Sequence, residues 1–360
     1  MNRITEAWEA LLFPLLAIVG ALALFGIFVS VAGYDALEVW KLLFLGAFGD
    51  VFSLQNTLLR SAPLMLTALC VALPARAGLI VIGGEGALVM GALACAALPS
   101  LWTPPEGAWG TTVLMLAAAA AGGAWIALSG WLRQYRGVNE TISSLLLAYV
   151  AINVFKHLVE GPLRDPGSLN KPSTLPLHDS WLMGPIGMWD VHWGLVWGVV
   201  ACVLAALWLS CTSHGFAVRV VGGNVKAARL VGLPAHRLIL VACVVGGAAA
   251  GLAGGIEVAA VHTAANASVI AGLGYTGILV SFAARHNPLA IIPMAILLGG
   301  FGAAGSMLQR RLGLPDASVQ VLLGFVFVLI LAGEAYRGSV RWKQLLKIGT
   351  LRAPAAARGV

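Results

Sequence analysis

Little of this sequence carries charge. Asp, Glu, Lys and Arg make up 10% of its 360 residues, where a soluble domain carries about 25%. The shortage extends along the whole chain, which excludes a soluble fold with a single anchor. Alternating apolar and polar runs of about ten residues are also missing, which argues against a membrane barrel. The five cysteines (Cys70, Cys95, Cys202, Cys211, Cys243) form no CxxC pair and no Cys/His group of zinc-type spacing. They read as small apolar residues in or beside spans, and no metal site is expected. There is no Ser/His/Asp set, no HExxH and no GxxxxGK[ST]. The chain is therefore read as a non-enzyme that cannot by itself cradle ATP phosphates by the usual route. Nor is there a signal-peptide pattern: Met1–Ala10 is short and polar, and the apolar run Leu11–Ala32 is too long for a typical signal core. That run is expected to be the first span.

Apolar length is abundant. Hydrophobic residues make up 59% of the chain and its mean hydropathy is +0.90. Many runs approach the ~20 residues that cross a bilayer as a helix. The expected fold is all-α, a polytopic transmembrane bundle of about ten spans: 11–33, 54–75, 79–98, 110–132, 140–159, 190–211, 238–261, 274–285, 289–306 and 317–335, the eighth being short. With both termini inside, fifteen Lys and Arg fall on inner segments and six on outer ones, with Arg60 within a span; this bias supports an N-in, C-in arrangement. Residues 1–336 form the transmembrane domain, and 337–360 a basic cytoplasmic tail. The small residues Gly247, Gly251 and Gly255, and the patch Ala119–Gly123, mark faces where helices approach closely.

Two polar segments exceed a simple turn. Glu160–Asp190, rich in proline, reads as an outer loop that is an ordered cap or a docking surface. Thr212–Arg237, "TSHGFAVRVVGGNVKAARLVGLPAHR", is placed on the inner side. There Gly222-Gly223 are expected to break the chain and Asn224 to cap a short helix that Gly232 and Pro234 stop. Such a helix is either a topology-setting basic loop or a docking element for a cytoplasmic partner, carried by Arg219, Gly222, Asn224, Lys226, Ala227, Ala228, Arg229 and Gly232. Within the third span, "GLIVIGGEGALVMGALACAA" (Gly78–Ala97) places a glutamate among glycines. An acidic side chain at membrane depth must face a partner or water. Gly83, Gly84 and Gly86 would let the helix break and restart with Glu85 in its first turn, beside free N–H groups. Glu85 then either lines a solute path or ties two helices together. Asn56, Arg60 and Tyr275 are further candidates for the path, with Arg60 either the counter-charge to Glu85 or reaching to an interface. Asn139 and Glu140 read as the start of a helix.

Four stretches carry a resemblance. "AGLIVIGGEGALVMGA" (Ala77–Ala92), "RGVNETISSLLLAYVA" (Arg136–Ala151), "GFAVRVVGGNVKAARLVGL" (Gly215–Leu233) and "GLGYTGILVSFAARHNPLAII" (Gly272–Ile292) together resemble the permease subunit of bacterial ABC importers, in the simple-sugar and nucleoside branch related to ribose-type permeases and served by lipoproteins of the basic-membrane-protein type. Val81 stands where that family often has Asn, and Val225 where Pro is common. The resemblance implies a multi-pass subunit of the bacterial inner membrane with no cofactor of its own. ATP and Mg would sit on a cytoplasmic ATPase partner docked at the coupling helix. It further implies a second permease in a heterodimer, a periplasmic or lipid-anchored binding protein, and nucleosides, purine-related compounds or simple sugars as cargo. The alternative is a gradient-driven carrier with Glu85 as its ion or proton site.

Overall fold

The computed structural model describes residues 3–168, 170–187, 189–315 and 317–337. Apart from Arg337, the expected basic tail lies outside the described residues. The fold is an all-α membrane bundle. Its helices are α1 (Arg3–Val31), α2 (Ala36–Phe48), α3 (Val51–Arg76), α4 (Gly84–Leu101), α5 (Ala108–Arg136), α6 (Glu140–Glu160), α7 (Gly194–Cys211), α8 (Ser213–Gly223), α9 (Val225–Leu230), α10 (Ala235–Ile256), α11 (Leu273–Ala283), α12 (Pro288–Leu312) and α13 (Ala317–Arg337). Among the described residues, nine helices are long and apolar enough to cross a membrane.

Composition sets the packing. Lipid offers no hydrophobic force to drive helices together, so close approach of small residues does the work. α10 is the central post and packs on α3, α4 and α5. A Cβ at Gly251 would collide with the Ala118 carbonyl of α5, and one at Gly254 with the Leu88 carbonyl of α4. The glycine stripe read from the sequence is this contact face.

The eighth span, expected to be short over 274–285, is α11, an 11-residue helix only about 16 Å long, half a bilayer core. Two other expectations are corrected. The third span, expected from 79, starts at Gly84 because 77–83 are not helical. The inner segment holds two helices, not one: Gly222 and Gly223 end α8, and the break falls at Asn224. The unforeseen α2 starts at Asp35, whose carboxylate accepts from the Leu37 N–H, and it packs on α12 with Gly46 against Ala304.

Helix directions give the bundle two ends. α7 leads directly into α8, and α9 leads into α10, so α8–α9 caps one end. The segment 161–193 lies at the other. It contains the hairpin β1 (Pro185–Ile186) and β2 (Trp189–His192). Its described residues form a cap tied to the bundle: the N–H groups of Thr174, Leu177 and Met183 donate to the carbonyls of Ala265, Thr263 and Ala259 at 2.9, 2.8 and 2.9 Å.

Candidate functional site

Two backbone groups of the break before α4 are satisfied from outside, as non-helical chain at membrane depth requires. Ile82 N–H donates to Ser144 Oγ at 3.0 Å, and Thr141 Oγ1 donates to the Ile80 carbonyl at 2.9 Å. Both partners lie at the start of α6, which Asn139 caps by accepting from the N–H groups of Thr141 and Ile142 at 2.9 and 3.1 Å. Thus a helix start at Asn139 braces the helix break beside it.

Glu85 sits in the first turn of α4 and is fully buried. Its two oxygens accept from Gly272 N–H at 2.9 Å and Gly274 N–H at 2.6 Å. Those donors open α11, so the carboxylate takes up the free N–H groups and the positive end of the helix dipole. Two acceptor oxygens facing two donors match an ionised carboxylate. Gly274 admits this contact, since a Cβ there would collide with the Glu85 backbone. Half-helices whose N-termini point at an anion inside the bundle are a transporter device; here the anion belongs to the protein. The counter-charge suggested for Glu85 is therefore backbone, not Arg60. The structure places Gly83, Gly84, Glu85 and Gly86 together around this joint. Gly83 packs on the Ser144 carbonyl, and Gly86 on Ala148.

Two cavities flank the start of α11 and share Ala271. One, of about 500 Å³, is lined by Ile82, Gly272, Tyr275, Gln320 and Phe327 among others. The second, of about 440 Å³, brings together Asn56, Arg60, His192, Glu257, His262 and Ser268. Asn56 and Arg60 thus share a cavity, whereas Tyr275 lies across Ala271 in the other. Glu257 and His262 begin and end a π-helical turn that continues α10, a distortion frequent at functional sites. Glu257 Oε2 stands 3.6 Å from His262 Nε2. His192 is buried, and among the described residues neither ring nitrogen has a hydrogen-bond partner; burial lowers its pKa below the ordinary histidine value. Glu257, His192 and His262 were not among the site residues expected from the sequence. The available signal was an acid and a histidine five apart at the end of an apolar span.

At the α8–α9 end, Asn224 Oδ1 accepts from Ala227 N–H at 3.0 Å and caps α9. Ala228 is buried beneath the helix, while Lys226, Ala227, Arg229 and Gly232 are exposed. Leu230 and Val231 are 89% and 73% exposed, an apolar tip with no partner among the described residues. Arg219 lies with its guanidinium 6.0 Å from the Phe216 ring centre. Gly222 abuts the Arg76 carbonyl, and Gly78, in the left-handed region at φ +86°, sits against Gly222. The end of α8 thereby touches the chain that leads into the break and on to Glu85.

Beside this contact, Arg76 Nε donates to the His286 carbonyl at 2.8 Å, and Arg285 Nε to Glu334 Oε1 at 2.8 Å. Arg285 and His286 both have φ +54°, a left-handed geometry that costs non-glycine residues energy and persists only where neighbours impose it. His286 Nδ1 lies 2.8 Å from Ser281 Oγ. Burial, followed by the charge of Arg76, pulls the His286 pKa down to about 4.

A family described as "Branched-chain amino acid transport system / permease component" matches residues 53–331. The glucose ABC transporter permease protein TsgB13 of Haloferax volcanii is 31% identical over 353 residues, covering 93% of this chain and 91% of that protein. The guanosine ABC transporter permease proteins NupP and NupQ of Bacillus subtilis are 27% and 23% identical, covering 91% and 77% of this chain and 94% and 90% of their own lengths.

Proposed function

The chain belongs to the branched-chain amino acid transport system / permease component family and is a multi-pass, pore-forming subunit of an ABC importer in the cell membrane, and on that footing we propose how it is driven and what it carries. α8–α9 faces the cytoplasm and receives an ATPase that holds the ATP and Mg; this chain contributes no catalytic group. The observation that carries the reading is the exposed Leu230–Val231 tip on a capped helix seated by Ala228. An apolar tip ringed by Lys226 and Arg229 fits a cleft with an acidic rim.

Force applied at the tip has a continuous route inward. It passes through Gly222 to Arg76 and Gly78, along 77–83, to Glu85 and then α11. α11 borders both cavities, so a shift of this half-helix changes their shape. Gly83, Gly84, Glu85, Gly86, Asn56, Arg60 and Tyr275 belong to the solute path in this reading, with Glu85 acting as the hinge pin between α4 and α11 and not as a wall residue. The cargo is a nucleoside, a purine-related compound or a simple sugar, in keeping with the glucose and guanosine permeases it is similar to. The occurrence of two guanosine permease proteins in one organism, both similar to this chain, supports pairing with a second, different permease. A periplasmic or lipid-anchored binding protein would deliver cargo onto the 161–193 cap.

The test is site-specific cross-linking. Among the described cysteines only Cys211 is exposed, so Cys211→Ser gives a quiet background for Lys226→Cys. We expect cross-links from that position to an ATPase in native membranes, and loss of this product when Leu230 is changed to Asp. Cross-links to no ATP-binding protein would reject the docking assignment.

A further inference from the structure

We propose that the cavity formed by Asn56, Arg60, His192, Glu257 and His262 binds the vicinal hydroxyls of a neutral sugar ring, either free or carried in a nucleoside. The inference rests on the proposed transport function and specifies what its path recognises.

Its first support is an unmet requirement. His192 is only 5% exposed, and both of its ring nitrogens lack partners among the described residues. Buried polar atoms are hydrogen-bonded in the large majority of cases, and an exception calls for a reason. A neutral imidazole offers one donor and one acceptor, and a hydroxyl can answer either. Gly194 leaves room for the ring, since a Cβ there would stand 2.6 Å from His192 Nδ1.

The second support is charge balance. The Arg60 guanidinium and the Glu257 carboxyl line the same cavity. A net charged solute would oppose one of them, whereas a neutral solute with adjacent hydroxyls can donate to the carboxylate and accept from the guanidinium. Asn56 and Ser268 add short-range donors and acceptors. The described lining includes no Phe, Tyr or Trp, and its His, Asn, Ser, Glu and Arg groups supply the donors and acceptors that hydroxyl recognition needs. The size is adequate, at about 440 Å³ against the ~300–1,000 Å³ of small-molecule sites.

The third support is position. The cavity lies beneath the 161–193 cap, at the end opposite α8–α9, and Lys171 Nζ of the cap donates to the rim residue Ser268 at 2.6 Å. Its floor includes Ala271 and Leu273, next to the Gly272–Glu85 joint. A solute entering from the capped end would meet this cavity before α11.

The test uses the assembled transporter in proteoliposomes, with Ser268→Cys on a Cys211→Ser background. The labelling rate by a charged methanethiosulfonate is measured alone and with millimolar D-glucose, D-ribose, guanosine or 2′,3′-dideoxyguanosine. We expect at least threefold protection by a compound with adjacent hydroxyls and none by the dideoxy analogue. Protection should be lost in Glu257→Gln and partly kept in Glu257→Asp. Protection by the free sugars marks them as ligands; protection by guanosine alone marks a nucleoside. Labelling unaffected by all four compounds, or slowed equally by guanosine and its dideoxy analogue, overturns the proposal. ATP-dependent uptake by the same vesicles reports separately on the transport function, so the two failures remain distinguishable.

Discussion

Replacing Glu85 with Gln tests the joint between α4 and α11. Its two oxygens accept from Gly272 and Gly274 at 2.9 and 2.6 Å. A glutamine keeps one oxygen and presents an NH₂ to the other N–H, so one charge-assisted bond is lost, at about 1.5–3 kcal/mol. Losing the negative charge at the start of α11 adds up to about 1 kcal/mol. The start of α11 should therefore open more easily by about 2–4 kcal/mol, and at 1.4 kcal/mol per factor of ten its amides should exchange roughly 30- to 700-fold faster. Hydrogen–deuterium exchange of peptides covering 271–277 in nanodiscs is the assay. Glu85→Asp, too short to reach both donors, should fall between. Exchange within twofold of wild type in Glu85→Gln would refute the capping argument.

Further expectations can be read in simpler assays. Gly251→Val inserts a side chain into the Ala118 carbonyl; overpacking of about 1–3 kcal/mol or more should lower the thermal unfolding midpoint and the yield of folded protein. Asn224→Ala removes the α9 cap, worth about 1 kcal/mol; ATPase affinity should weaken about five-fold, and Asn224→Asp should restore it. The α11–α12 turn should be acid-sensitive. The His286 pKa is depressed from 6.5 to about 4, so the folded state prefers it neutral. Stability from this group is complete above pH 6.5 and is lost as pH falls toward 4. The unfolding midpoint should drop across that window, and His286→Gln should flatten that part of the profile.

The long spans were legible because their signal is local: twenty apolar residues report a membrane crossing by themselves. The start of α9 was also legible at Asn224, because a cap is a short-range feature. Gly222 was misread as a break because glycine serves equally for close approach, and its neighbour Arg76 lies far away in sequence. Glu85 was legible as a residue needing a partner, but that partner is backbone 187 and 189 positions away, and backbone donors leave no trace in side-chain identity. Shortness made α11 recognisable as an irregular span, while its role in receiving Glu85 needed the tertiary structure. His192 and Glu257 meet only because the start of α7 and the end of α10 reach the same end of the bundle, so no linear pattern joins them.

The central claim is that this chain is a gate moved from the α8–α9 end by an ATPase. Uptake by proteoliposomes holding the complete transporter, with ion gradients collapsed by ionophores, tests it most directly. Uptake of glucose or guanosine should require ATP on the α8–α9 side and persist without any gradient. Accumulation by the purified chain alone, driven by an ion gradient without ATP, would contradict it.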